Sequence, residues 1–327
     1  MRHVITGGSG FTGSHMASAL LKRGERVVVF DLEEPSRVVG SADYIRGDVR
    51  CDGDLKRLDL DTDDLVYHLA ARQFHGRVPR RNRDEWFADV NLRGTARLLR
   101  AMSAASTRRL IFFSTDMTYG RPEYTPLAPT HVQRPIGPYG RSKVGAERLL
   151  MRASIEFGLK ATIFRPRLIA GAGRLGILTK LFRLIKNGFP VPLIGAGGNR
   201  YQMIAVEDCV SAALRAAERD CPPGPFNLGS NNPPAVRELL RELIRRANSR
   251  SLLMPTPAMV VQATLSLFDQ LGLSLLYPEQ FAVANVDYVL DTETTKTGLS
   301  WEPTKNDIDI LFEAYSAFLA GSEATTT

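Results

Sequence analysis

The sequence predicts an α/β protein: a doubly wound parallel sheet with helices on both faces, followed by a smaller C-terminal lobe. Three observations predict it. Short β-branched runs alternate with helical segments through the first half, an order that puts the connecting helices on the faces of a parallel sheet. The first run leads straight into the stretch TGGSGFTG (6–13) and then into a helical pattern. After Arg165-Pro166-Arg167 the rhythm changes to longer loops with most of the prolines.

In chain order, buried strands are expected at 4–6, 26–30, 44–45, 65–69, 109–113 and 160–164. Between them, apolar residues three and four apart predict helices at 14–23, 84–106 and 139–157. The second half predicts helices at 177–187, 207–219, 235–247 and 308–319, with a frayed tail from 322. The expected division is 1–167 for the sheet domain and 168–327 mainly for the lobe, with elements near 200–230 returning to the sheet. The stretch 257–277 is apolar but interrupted by Gln262, Asp269 and Gln270, so it reads as a buried or partner-facing helix, not a membrane span.

Composition narrows the class. The 327 residues are 44% hydrophobic and 24% charged, which excludes disorder as the dominant state. Cys51, Cys209 and Cys221 cannot build a disulfide framework and none stands at metal-ligand spacing with a histidine. No signal peptide precedes the first strand, and a cytoplasmic location is expected. Net charge is +7, and residues 72–109 alone hold ten arginines against Asp84, Glu85 and Asp89, which is the whole excess. Such a stripe is the footprint of nucleic-acid binding or simply a solvated face. Its start, with Arg72, Arg77, Arg80 and Arg81, fits an anionic small molecule at least as well as a polynucleotide, while Arg93, Arg97 and Arg100 are expected on an exposed helix face.

The glycine loop carries the first chemistry. Gly8, Gly10 and Gly13 fit the G-x-G-x-x-G spacing, and Gly7, Gly10 and Gly13 fit G-x-x-G-x-x-G. Glycines there permit a tight turn, close approach of a pyrophosphate to backbone N–H groups, and helix–strand contact, as in the Rossmann-type dinucleotide fold. Asp31 ends the second strand, 18 residues after Gly13. Its carboxylate can accept from both ribose hydroxyls and would repel a 2′-phosphate, so NAD is expected over NADP; Arg37 is the one dissenting residue.

Tyr139 and Lys143 stand four apart at the start of a predicted helix, on one face. Ser114-Thr115 ends an apolar strand 24 residues before the tyrosine, where ligands of such sheets sit. An ammonium beside a phenol makes it a usable base, and a strand-end hydroxyl can hold a substrate oxygen.

Together these residues resemble the extended short-chain dehydrogenase/reductases, the NAD-dependent epimerase/dehydratase family. The resemblance runs over nearly the whole chain, through Asp31, Gly47-Asp48-Val49, His68-Leu69-Ala70-Ala71, Asn91 to Thr95, STDMTYG (114–120), YGRSK (139–143), Arg165-Pro166-Arg167, Val206-Glu207-Asp208 and Phe226 to Gly229. It implies that Thr115, Tyr139 and Lys143 are the catalytic set. It also implies that Gly7, Gly10, Phe11, Thr12, Asp31, Leu32, Asp48, Val49, Leu69, Ala70, Ala71, Asn91 and Arg167 join Tyr139 and Lys143 around NAD. Arg72, Gln73, Arg77, Asp116, Met117 and Arg200 are the expected substrate contacts, and a homodimer through the helices near 91–106 and 139–157 is implied.

Departures refine the activity. Thr115-Asp116-Met117 is similar to the Thr-Asp-Glu of sugar-nucleotide dehydratases, but a thioether cannot remove the proton that dehydration requires. Leu168 stands where many sugar-nucleotide epimerases carry Asn, Tyr277 to Gln280 offers no Arg-x-Gly-Asp, and Arg200 is one position out of register for a phosphate-binding arginine. The expected function is an NAD-dependent sugar-nucleotide epimerase or dehydrogenase. The alternatives are a 3β-hydroxysteroid-type dehydrogenase or ketone reductase, for which Arg165-Pro166-Arg167 and 257–277 speak, and a non-catalytic dinucleotide sensor. His68 is expected to pack rather than react, His75 and His131 carry no assigned role, and Cys209 is a core residue.

Overall fold

Seven parallel strands form one sheet in the computed structural model, which describes residues 1–34, 41–74, 78–173, 178–257 and 282–323 and the single positions 259, 261, 277 and 279. They are β1 (Arg2–Thr6), β2 (Arg26–Asp31), β3 (Asp43–Arg46), β4 (Leu65–His68), β5 (Arg109–Phe113), β6 (Lys160–Pro166) and, after the short β7 (Leu168–Ala170), β8 (Val191–Ile194) and β9 (Met203–Ala205), the edge strand β10 (Phe226–Leu228). Their spatial order is β10-β6-β5-β4-β1-β2-β3. From β1 the chain first winds outward through β2 and β3, then returns to β4 on the other side. The direction therefore reverses between β1 and β4, where Thr6 pairs with His68 at the carboxyl ends. That reversal opens a crevice, the usual ligand position of such sheets.

Successive side chains of each strand point to opposite faces, so each strand feeds two cores. On one face Ile5, Val29, Tyr67 and Ile111 pack with Met16 and Leu20 of α1 (Phe11–Lys22) and Ala212 and Ala213 of α7 (Val206–Glu218). On the other, Val4, Val66 and Phe112 pack with Leu98 and Met102 of α4 (Thr95–Ala104) and Ala146 and Leu150 of α5 (Pro138–Phe157). A third core joins α6 (Leu178–Lys186), α8 (Val236–Arg246) and α10 (Asp307–Glu323) through Phe182, Ile185, Leu243, Ile310 and Tyr315. The elements α7, β10 and α9 (Glu293–Leu299) lie against the large sheet, although all three follow residue 200 in the chain.

Two expected elements differ. The single helix at 84–106 is α3 (Arg83–Ala88), a π-helical segment Asp89–Gly94, and then α4. The π turn inserts one residue into the helical count, and it directs both Asn91 and Thr95 inward to polar partners. Apolar periodicity cannot register this, because the inward residues at the insertion are polar. The last helix runs on to Glu323 instead of fraying at 322. The predicted apolar segment 257–277 falls almost entirely outside the described residues. Among the described residues no helix is long and apolar enough to cross a membrane.

One buried ion pair ties α5 to the sheet. Arg165 of β6 and Glu147 of α5 meet at 2.6 Å with side chains only 6% and 4% exposed. Ser114 and Gln133 also donate to Glu147, while Arg165 donates to the Tyr119 hydroxyl and the Pro129 carbonyl. Removing one partner leaves an uncompensated buried charge. Glu147→Ala is therefore expected to cost about 3–5 kcal/mol in urea unfolding. The double change Glu147→Met/Arg165→Met is expected to cost less than the single one.

Candidate active site

The crevice starts at the glycine loop. Gly7 has φ +74°, and a Cβ there would lie 2.5 Å from the Ala70 amide nitrogen. That contact presses the loop against the strand end of β4. At Gly13 a Cβ would sit 2.3 Å from the Gly7 carbonyl, so α1 can begin only where there is no side chain. Gly10 is different: a Cβ would touch only the Gly7 carbonyl at 3.2 Å. It stands open at the N-terminus of α1, with Phe11 and Thr12 in the first turn, where backbone N–H groups favour a phosphate.

Asp31 accepts from the Ser9 amide at 2.9 Å, which joins the acid to the glycine loop. Burial pushes its carboxyl pKa up, against the pull of the backbone N–H groups of Ser9, Glu33 and Leu32. Its remaining lone pairs suit a ribose diol. Leu32 is exposed beside it. Val49 is buried against Gly94, and Asp48 is held by Arg50 at 2.6 Å. Leu69 donates its amide to the Thr6 carbonyl, continuing the sheet toward Ala70 and Ala71. An open glycine, a helix terminus and a strand-end carboxylate fit a dinucleotide with an unphosphorylated adenosine ribose.

Thr115, Tyr139 and Lys143 come together at the carboxyl end of β5. Thr115 is extended and caps a 3₁₀ turn (Asp116–Thr118): its hydroxyl accepts from the Met117 amide at 3.2 Å and donates to Asp116 Oδ1 at 3.1 Å. Pro138 opens α5, where its missing N–H costs nothing, so Tyr139 and Lys143 lie one turn apart and both are buried. Lys143 Nζ donates to the Phe113 carbonyl at 2.7 Å and lies 4.6 Å from the Phe112 ring centre. Burial lowers its pKa from 10.5 to about 7, a shift opposed only by Glu147.

A polar web sets the helix that faces α5. Asn91, in the π segment, accepts from the Arg72 amide at 2.8 Å and donates to the Arg72 carbonyl and to Ser142 Oγ, each at 3.0 Å. Ser142 donates in turn to the Tyr139 carbonyl. The Asn91 carbonyl takes the Thr95 hydroxyl proton, so Thr95 can only accept from His68 Nε2 at 2.9 Å. His68 Nδ1 is then the acceptor for Thr6 at 2.6 Å. Burial, with Lys143 nearby, pushes the imidazole pKa down to about 3, so this histidine is a neutral link between β1, β4 and α4.

Several surroundings were not foreseen from sequence. Tyr139 is flanked by Phe74 at 5.4 Å and Phe87 at 5.7 Å, and Phe74 stacks on Tyr277 at 4.9 Å. Met117 packs into the same cluster. These aromatics come from separate stretches of unrelated spacing, and no local signal in the sequence marks them as a cage. Arg167 is buried with Nη1 on Asp116 Oδ2 at 2.5 Å, and its guanidinium carbon is 4.1 Å from the ring centres of both Tyr201 and Tyr288. Burial opposes its charge, but Tyr201, Asp116 and Tyr288 outweigh that and hold its pKa above the ordinary arginine value.

The other expected substrate contacts are scattered. Arg72 is engaged by the Trp86 carbonyl and Asp89, with its guanidinium over the Trp86 ring. Arg200 is on the surface, bound to Asp287 at 2.8 Å. Gln73 lies in the loop between Arg72 and Phe74, half-buried. Arg77, His75, Arg37 and Gln280 lie outside the described residues. Of the basic stripe, Arg93 pairs with Glu85 and Asp89, and Arg97 and Arg100 face Asp52. Among the described residues no group of three or more His, Cys, Asp or Glu side chains could hold a metal ion.

Comparison with known proteins agrees with this geometry. Residues 3–229 match the model of the NAD dependent epimerase/dehydratase family. The chain belongs to that family, is an enzyme of the epimerase/oxidoreductase type, and has NAD as its cofactor. It is 29% identical to a UDP-glucose 4-epimerase of Streptomyces lividans over 345 residues, covering 96% of this chain and 95% of that protein. A UDP-glucose 4-epimerase of Rhizobium leguminosarum bv. trifolii is 31% identical over 264 residues, covering 72% and 79%. The crystal structure of the Thermotoga maritima UDP-glucose 4-epimerase with UDP-glucose is 25% identical, with a TM-score of 0.78 over 98% of this chain and 100% of that one.

The depressed Lys143 pKa has a measurable consequence. Between about pH 7 and its unfolded value of 10.5, the unfolded chain carries the proton and the folded chain does not. Stability contributed at this position therefore rises with pH across that window. Lys143→Met is expected to be the more stable form at about pH 7, by on the order of a few kcal/mol, with the gap closing toward about pH 10 in urea unfolding. An equal gap at both pH values contradicts the burial argument.

Proposed function

We propose that this enzyme is a sugar-nucleotide epimerase that works by Tyr139-assisted oxidation of a sugar carbinol to a ketone and its reduction on the other face. The observation that carries the reading is that Lys143, one turn after Tyr139 on α5, is buried with its ammonium on the Phe113 carbonyl at the end of β5, next to Ser114 and Thr115. The named relatives act on UDP-glucose, which supports a nucleoside-diphosphate sugar as the substrate class.

NAD would be held by Gly7, Gly10, Phe11, Thr12, Asp31, Leu32, Asp48, Val49, Leu69, Ala70, Ala71, Asn91, Tyr139 and Lys143; Arg167, expected there as well, is engaged by Asp116 instead. When bound, it supplies a hydride acceptor that becomes the donor in the return step. Tyr139 takes the carbinol proton and gives it back, Thr115 holds the same oxygen, and Lys143 in its protonated form favours the phenolate. The aromatic cage of Phe74 and Phe87 excludes water from the tyrosine. Met117 stands where a dehydrating base would be needed, so the ketone has no route onward except reduction. Asp116, Met117 and Gln73 are the proposed substrate side of the crevice; Arg72 and Arg200 are held by Asp89 and Asp287.

The relatives favour this reading over the hydroxysteroid one, and so does the charged pair Arg167–Asp116, which suits a polar ligand. A cytoplasmic homodimer through α4 and α5 belongs to the same proposal. Met151 and Ile155 on α5 are 65% and 88% exposed, as an interface would leave them in one chain alone. Light scattering is expected to give twice the 36.1 kDa chain mass.

Purified enzyme should carry bound NAD and interconvert a UDP-hexose with its epimer without net formation of NADH. Tyr139→Phe should retain the dinucleotide and lose about 10²–10⁴-fold in kcat. Protein that holds NAD but leaves a panel of nucleotide sugars unchanged sinks the proposal.

A further inference from the structure

We infer that Arg167, with Asp116, is a specificity-determining residue that reads a hydroxyl group of the sugar next to the reacting carbon. The inference rests on the nucleotide-sugar reading above and adds to it the chemistry of the sugar.

The starting observation is an incomplete set of hydrogen bonds. An arginine side chain has five N–H donors in a fixed plane. In Arg167 only Nη1 has a partner, Asp116 Oδ2. Nε and Nη2 are buried and have no hydrogen-bond partner among the described residues. The tyrosine rings at 4.1 Å engage the π face of the guanidinium and leave its in-plane donors unsatisfied. Buried donors without an acceptor are costly, more so on a charged group, and native proteins rarely keep them without a reason. Nε and Nη2 form the side edge of the guanidinium, the edge that presents two parallel donors.

Position says what the acceptor belongs to. Asp116 follows Thr115 in sequence and accepts its hydroxyl through Oδ1 at 3.1 Å. A group bound by the Asp116–Arg167 pair is therefore a close neighbour of the oxygen that Thr115 would hold. The arginine at 200, expected to meet the diphosphate, is engaged by Asp287 on the surface. Arg167 is thus a cation beside Thr115, at the sugar end of the crevice, and Tyr288 fixes its partner by donating to the Asp116 carbonyl at 2.8 Å.

Chemistry then selects among sugars. A hydroxyl both accepts, from the guanidinium edge, and donates, to the carboxylate of Asp116. A uronic acid carboxylate only accepts, and it would place a second anion beside Asp116 in a buried site, where unbalanced charge is costly. A deoxy position offers nothing, and leaves the guanidinium unpaired in the complex as well. The pair therefore favours a neutral, fully hydroxylated hexose.

The test is equilibrium binding to the NAD-loaded enzyme by titration calorimetry, with UDP, UDP-glucose, its 3-deoxy and 6-deoxy analogues, and UDP-glucuronate. UDP-glucose is expected to bind at least about tenfold more tightly than UDP-glucuronate and than one of the two deoxy analogues, since a site built around a hydroxyl rejects its absence. Arg167→Lys keeps a charge for Asp116 but has no side edge. It should bring these ligands within about threefold of each other and leave the affinity for UDP alone unchanged. Wild-type enzyme that binds the whole sugar panel alike overturns the inference without reference to any variant. So does an Arg167→Lys enzyme that keeps the wild-type ranking, because an internal water alone then satisfies the arginine. If neither UDP nor any UDP sugar binds, the nucleotide-sugar reading itself fails, an outcome distinct from equal binding of all the sugars.

Discussion

Burying cations at one end of a parallel sheet is the constraint on which the rest of this structure depends. Lys143, Arg165 and Arg167 are all nearly inaccessible to water, at 2%, 5% and 6% exposure, and three solutions appear within one region. Arg165 has a full carboxylate partner and further acceptors, so it behaves as a structural tie. Lys143 has a backbone carbonyl and a ring face but, among the described residues, no direct carboxylate contact, and burial lowers its proton affinity. Arg167 has one carboxylate oxygen and two aromatic faces. The more completely a cation is satisfied by the protein, the less it has left for a ligand. By that measure Arg165 belongs to the scaffold, and the other two to the chemistry.

The scaffold around them follows from the same economy of polar groups. Asn91 has no spare donor on its amide: it closes the Arg72 backbone on both sides and reaches Ser142. The π turn allows this, since an ordinary helical count would not bring Asn91 and Thr95 to both of their partners. His68 remains neutral because each ring nitrogen already has a hydroxyl of the right polarity. Hydrogen bonds thus run from β1 through β4 and α4 to α5, and Tyr139 is positioned by elements that are themselves fixed.

What was legible in the sequence is what local chemistry determines. The strand runs, the glycine loop with Asp31 and the Tyr139–Lys143 spacing each depend on residues close in the chain, and all reach the expected crevice. What was not legible depends on distant segments. Tyr201 and Tyr288 meet Arg167 only because their two segments pair with each other. Phe74, Phe87 and Tyr277 gather around Tyr139 from three separate stretches with no common period. The π insertion was hidden because hydrophobic patterning cannot count a residue that is buried for its hydrogen bonds. The charge excess could be counted in the sequence, but the pairing of its arginines could not. Counted along the chain it is a basic stripe, but in space Asp52, Glu85 and Asp89 answer Arg93, Arg97 and Arg100.

The choice among reactions open to such a crevice turns on what lies beyond Thr115. Once a carbinol is oxidised, the neighbouring C–H is acidified, and a carboxylate placed there would carry the ketone on to elimination. Met117 has no basic atom for that step and is instead part of the apolar wall around Tyr139. Asp116 is a carboxylate in the right neighbourhood, yet Oδ1 takes the Thr115 hydroxyl and Oδ2 takes Arg167. A carboxylate held by a guanidinium on one side and a hydroxyl on the other is a fixed acceptor rather than a proton carrier. The wall of the site is therefore rigid and polar at Asp116 and apolar at Met117. Under the proposed reading, a ketone held there would keep its neighbouring hydroxyl, because neither Met117 nor the engaged Asp116 is placed to remove the adjacent proton.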